Sequence, residues 1–62
     1  MAEIKLYNLV AGEVNGRRFL GTVVGMSGLD LSIGPILHVR DLLTRELILC
    51  LPMFARKLVL AA

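Results

Sequence analysis

Cysteine, histidine and charge are all scarce in this chain. The one cysteine, Cys50, excludes an internal disulfide, and Cys50 with the one histidine, His38, cannot supply the usual four ligands of a structural zinc site. Asp, Glu, Lys and Arg make up 19% of the residues, against roughly 25% in an average soluble domain. The net charge of +2 is too mild to point to a polyanion partner by itself. Long apolar runs are missing too. The longest stretch without a charged residue is Phe19–Leu29, and Leu47–Ala55 is shorter. Both fall well short of the roughly 18–20 residues that a membrane-spanning helix needs. Gly21 and Gly25 have the spacing of a small-residue helix contact, but no apolar segment of the required length holds them. The N-terminus carries Glu3 and Lys5 and no signal-peptide core. The expectation is a chain without a transmembrane segment, located in the cytoplasm or within a virus particle.

Apolar side chains, in contrast, are in surplus. They form 56% of the 62 residues, above an ordinary share of about 45–50% that even counts glycine. This length suits one small domain, residues 1–62, with a marginal core: such a chain buries only about 60% of the surface that its unfolded form exposes. Small domains usually add a disulfide, a metal or a partner. With the first two excluded, a partner or a very well packed core remains; the surplus favours a partner, since it predicts an apolar outer face, and such faces on soluble proteins mark interaction sites.

The strongest local signal is Asn15-Gly16, a pair suited to a type I′ turn because both central residues need positive φ. A two-residue loop sets Val14 opposite Arg17, Glu13 opposite Arg18, Gly12 opposite Phe19, Ala11 opposite Leu20, Val10 opposite Gly21 and Leu6 opposite Gly25. Large side chains repeatedly meet small ones, which suits a strongly bent sheet, and Gly12, Gly21 and Gly25 suit the kinks that close a small barrel. Ser27-Gly28 reads as a turn, residues 29–33 as a short alternating strand, Gly34-Pro35 as a second turn and residues 36–40 as a strand. Residues 46–51 read as a buried strand ended by Pro52, with a short helix capped by Asp41 as the alternative. Residues 53–62 are a last strand or an arm.

No catalytic constellation is visible. Glu3, Glu13, Asp30, Asp41 and Glu46 are scattered, with no evident pair for acid–base work. Cys50 sits in the apolar run Ile48-Leu49-Cys50-Leu51 and reads as a buried inert thiol, and His38 as a strand residue. The glycines match neither a dinucleotide fingerprint nor a phosphate loop. Neither cofactor nor metal is expected.

Residues 15–26, Asn-Gly-Arg-Arg-Phe-Leu-Gly-Thr-Val-Val-Gly-Met, resemble the second and third strands of Sm-like proteins, with Asp30-Leu31 near that family's base-holding Asn and His38-Val39-Arg40-Asp41 echoing its aliphatic-Arg-Gly signature. Ser27 stands where the family has Asp, Asp30 where it has Asn, and Asp41 where it has Gly. The resemblance implies a bent five-stranded barrel that joins its neighbours edge to edge in a ring. For a nucleic-acid site, Arg17-Arg18 beside Phe19 offer phosphate contacts and a stacking ring at the hairpin tip, and the resemblance adds Arg40, with Asp30 as a base contact.

The fold class is therefore mainly β: a small barrel or sandwich of about five antiparallel strands around the Asn15-Gly16 hairpin. The leading functional expectation is a non-enzymatic structural protein that self-assembles or docks into a larger assembly, for example a virus particle. Its interface is expected to use Tyr7, Leu9, Phe19, Leu20, Met53, Phe54, Leu58 and Leu60. The alternative is an Sm-like RNA- or DNA-binding module acting as an oligomeric ring.

Overall fold

The computed structural model describes residues 4–30 and 34–59. Five strands, β1 (Leu9–Val14), β2 (Arg17–Asp30), β3 (Gly34–Asp41), β4 (Leu47–Cys50) and β5 (Ala55–Lys57), form one antiparallel sheet in the order β4-β3-β2-β1-β5. A 3-10 turn, Pro52–Phe54, separates β4 from β5. The domain is mainly β, as the turn signals and alternation imply.

The hairpin forms at the expected pair. Asn15 (φ 52°) and Gly16 (φ 80°) both take positive φ, and the ladder runs from Val14 opposite Arg17 out to Leu9 opposite Thr22. It stops there, so the expected Leu6–Gly25 pairing does not form. The cause is a local turn. The Asn8 carboxamide oxygen accepts from the Lys5 N–H at 2.8 Å, and Tyr7 enters the left-handed region at φ 68°. Only two further bonds follow, Tyr7 N–H to the Val23 carbonyl (2.7 Å) and Val23 N–H to the Asn8 carbonyl (3.0 Å).

Two expected turns are corrected. Ser27-Gly28 does not reverse the chain; β2 continues through it to Asp30, which pairs with Gly34, and the irregularity is absorbed within the strand. Gly34-Pro35 opens β3 rather than forming a turn. The expected strand over residues 29–33 is thus the end of β2 as far as Asp30, and 31–33 lie outside the described residues. Residues 47–50 are a strand, as preferred over a helix, and the C-terminal segment contributes the short β5.

Val10 from β1, Phe19 and Val23 from β2, Leu37 and Val39 from β3 and Cys50 from β4 form a single buried cluster. Four strands of one sheet can share so small a core only if the sheet bends sharply. The bend is concentrated in β2, where Val24 is an extra residue between the Val23–Val39 and Gly25–His38 pairs. A bulge of this kind raises the local twist. Among the described residues no second sheet packs against the first. The core is closed by the bend, with Ile4, Val14, Ile48 and Ala55 packed around it.

Candidate functional site

Strand alternation places every second residue outside. Across the sheet, Leu47, Arg40, Thr22 and Leu9 form one outward row, Leu49, His38 and Gly25 a second, and Leu20, Ala11 and Arg56 a third. The turns add more apolar surface. Twelve large apolar side chains are exposed among the described residues, twice the six apolar residues of the core. The most exposed is Leu43 at 92%, at the tip of the β3–β4 turn.

That turn is built by Asp41, the only buried charged residue among those described. One carboxylate oxygen accepts from the N–H of Leu43 at 2.7 Å and of Thr44 at 3.0 Å. The Asp41 carbonyl accepts from Arg45 N–H, and the Asp41 N–H donates to the Glu46 carbonyl. Asp41 therefore makes a tight turn rather than capping a helix. The backbone N–H groups of Thr44 and Leu43 hold its carboxyl below the ordinary value of 3.8, with Arg17 adding to them and burial opposing. A carboxyl lowered on folding stabilises the fold above its unfolded value and loses that contribution as pH falls through its folded value. Asp41→Asn keeps the accepting oxygen and removes the charge. The gap in melting temperature between the wild type and this variant is expected to stay level from neutral pH to about 5 and to shrink steadily below it. A gap that stays constant into strong acid would show that the Asp41 charge contributes nothing.

The sheet stays open between its edge strands β4 and β5, and a cleft of about 310 Å³ lies beside β4 at this seam. Val14, Ile36, Leu49, Cys50, Leu51 and Phe54 line it. Val14 and Leu49 also border an adjoining hollow of about 420 Å³ beside the Arg17–Glu46 ion pair (2.8 Å), which ties the hairpin tip to the β3–β4 turn. Both partners are half exposed, so this pair stabilises by no more than about 1 kcal/mol.

The expected interface residues divide. Tyr7, Leu20, Met53 and Phe54 are exposed, while Leu9 and Leu58 are half-buried. Leu60 lies outside the described residues. Phe19 is corrected: at 5% exposure it is a core residue, available neither to an interface nor to a stacked base. Of the other expected nucleic-acid residues, Arg17, Arg18 and Asp30 lie on β2 and Arg40 on β3. Arg17 is held by Glu46, Arg18 forms a solvent-exposed ion pair with Glu13 at 4.0 Å, and Arg40 donates to the Arg45 carbonyl. Asp30 ends β2 opposite Gly34, and its side chain lies outside the described part.

Sequence reading passed over Leu42, Leu43, Leu47 and Leu49 as surface residues. Asp41 with Thr44 three residues on was the available signal, since this spacing favours a local side-chain turn that throws the intervening leucines outward. It also passed over a 2.7 Å hydrogen bond between Ser27 Oγ and His38 Nε2 on the exposed face. Among the described residues no acidic side chain bonds the ring to supply the third group that orients a catalytic base. Burial pushes the Cys50 thiol above its ordinary value, which disfavours the reactive thiolate. Among the described residues no cluster of His, Cys, Asp or Glu could hold a metal ion, and no helix is long and apolar enough to cross a membrane. No family model matches this chain, and neither does any curated protein or solved structure.

Proposed function

We propose that this chain is a non-enzymatic structural subunit that assembles with copies of itself, or docks as a small part of a larger assembly such as a virus particle. The observation that carries this reading is the apolar exterior: among the described residues, twelve large apolar side chains lie outside a core of six. Surface area supports it. A monomer of 6.8 kDa exposes about 4,000 Å² by the usual scaling, and this chain exposes 4712 Å². The excess is close to the roughly 800 Å² that each partner contributes to a standard interface. Burial is the driving force, at roughly 25 cal/mol per Å² of apolar surface before association costs.

An Sm-like ring binding nucleic acid is the second reading. What favours it is the sheet order, which leaves β4 and β5 as free edges through which copies could join. Burial of Phe19 weighs against the nucleic-acid part, because a stacking platform would be missing.

Light scattering across a dilution series tests both readings. The expected result is a mass above that of the monomer, unchanged by short oligo-U or oligo-A RNA. A monomeric mass at every concentration would sink the assembly reading. A salt-sensitive rise in mass with RNA, lost in an Arg17→Ala, Arg18→Ala variant, would put the second reading first.

A further inference from the structure

The cleft at the open seam of the sheet and the tip of the β3–β4 turn are both apolar, one a hollow and the other a projection. The seam cleft, about 310 Å³, is lined by hydrocarbon and one thiol, with no charged side chain among its six residues. The tip presents Leu43, at 92% exposure the most exposed large apolar side chain among the described residues, with Leu42 beside it at 48%. The tip is pre-organised. Asp41 fixes the N–H groups of Leu43 and Thr44, Leu42 N–H donates to the Leu20 carbonyl at 2.9 Å, and the Arg17–Glu46 pair braces its far end. Little further conformational freedom is therefore lost on docking, which favours affinity.

We propose that Leu43 of one copy inserts into the seam cleft of the next, between Leu49 and Phe54. This inference rests on the self-assembly reading and assigns the surfaces that carry it. At about 310 Å³ the cleft is roughly ten times the ~30 Å³ that one water takes up in the liquid, so it accepts the four-carbon side chain of Leu43 with room for Leu42 at its rim. The occupant is a second copy because the excess surface of this chain matches one partner's share of a standard interface. The net charge of +2 sets only slight repulsion between copies. Knob and cleft are different surfaces of one chain, so the contact is heterologous: it propagates head to tail and ends in a closed ring or an open filament.

The test uses two variants at exposed positions, Leu43→Glu and Leu49→Glu, the second at a residue 55% exposed. Each destroys one half of the contact and leaves the other. Light scattering is expected to show the wild type assembled and each variant alone monomeric. An equimolar mixture should form a species of dimer mass, since the intact knob of the Leu49 variant meets the intact cleft of the Leu43 variant. Circular dichroism checks folding, and Leu43→Ser with Leu49→Ser repeats the test if a glutamate variant is unfolded. Persistent assembly of either variant alone, or a mixture that stays monomeric, overturns the proposal while the self-assembly reading stands. A monomeric wild type overturns both.

Discussion

Gly21→Ala is expected to unfold this domain, whereas Gly25→Ala, four residues along the same strand, is expected to be tolerated. A Cβ on Gly21 would collide with the carbonyl oxygen of Arg40, and would stand 2.7 Å from a methyl of Val39 and 2.8 Å from the Arg40 carbonyl carbon. The obstacle is backbone, which cannot rotate away. Relief requires β2 and β3 to separate at the Gly21–Asp41 pair, the position from which Asp41 holds the next turn. Overpacking a core costs about 1–3 kcal/mol, and more where nothing yields. A domain of this size seldom has more than about 3–5 kcal/mol to lose. On Gly25 the nearest atom to an added Cβ is His38 Nδ1 at 3.4 Å, on a side chain that can turn. That substitution is expected to shift stability by no more than about 1 kcal/mol, because a less flexible unfolded chain offsets the tighter contact. Urea unfolding followed by circular dichroism measures both. A cooperative transition for Gly21→Ala within 1 kcal/mol of the wild type would mean that β2 and β3 do not approach as closely as described.

The same glycines show how far the sequence could be read. Asn15-Gly16 fixed the hairpin, and the two-residue loop then dictated the register as far as Leu9, because turn geometry is local and propagates along a ladder. Gly12 opposite Phe19 and Gly21 opposite Val10 were legible as small residues facing large ones. Their stronger reason was not legible. Gly21 lies against the Arg40 carbonyl of β3, and Gly12 against the Phe54 carbonyl of the 3-10 turn; both contacts come from segments distant in sequence. Phe19 was misplaced because β2 is apolar on both faces, so alternation told which residues share a face but not which face is inside. The Val24 bulge had no signal of its own. At residues 41–51 the apolar spacing served strand and helix equally, which hid the Asp41 turn and with it the exposed leucines on which the proposed contact depends.

Leu37 and Leu43 are the same residue type at opposite extremes, and the pair separates folding from assembly. Leu37 is 1% exposed, between Met26 of β2 and Cys50 of β4 in the ladder; Leu43 is 92% exposed. Leu37→Ala removes core volume from a site held by three strands and is expected to cost about 2–5 kcal/mol. Against so small a core that leaves most of the chain unfolded. Leu43→Ala removes a side chain that touches little of its own molecule and is expected to stay within about 0.5 kcal/mol. Both are measured at a dilution where association adds nothing to stability, because a partner that binds only the folded state would otherwise raise the apparent value. Raising the concentration should then raise the melting temperature of the wild type and leave that of Leu43→Ala in place, since the variant has lost its knob. Equal losses for the two substitutions in dilute solution would mean that Leu43 packs into its own fold, and the apolar tip would no longer be spare surface awaiting a partner. Equal concentration dependence of the wild type and Leu43→Ala would instead keep self-assembly and move the contact to another part of the apolar exterior.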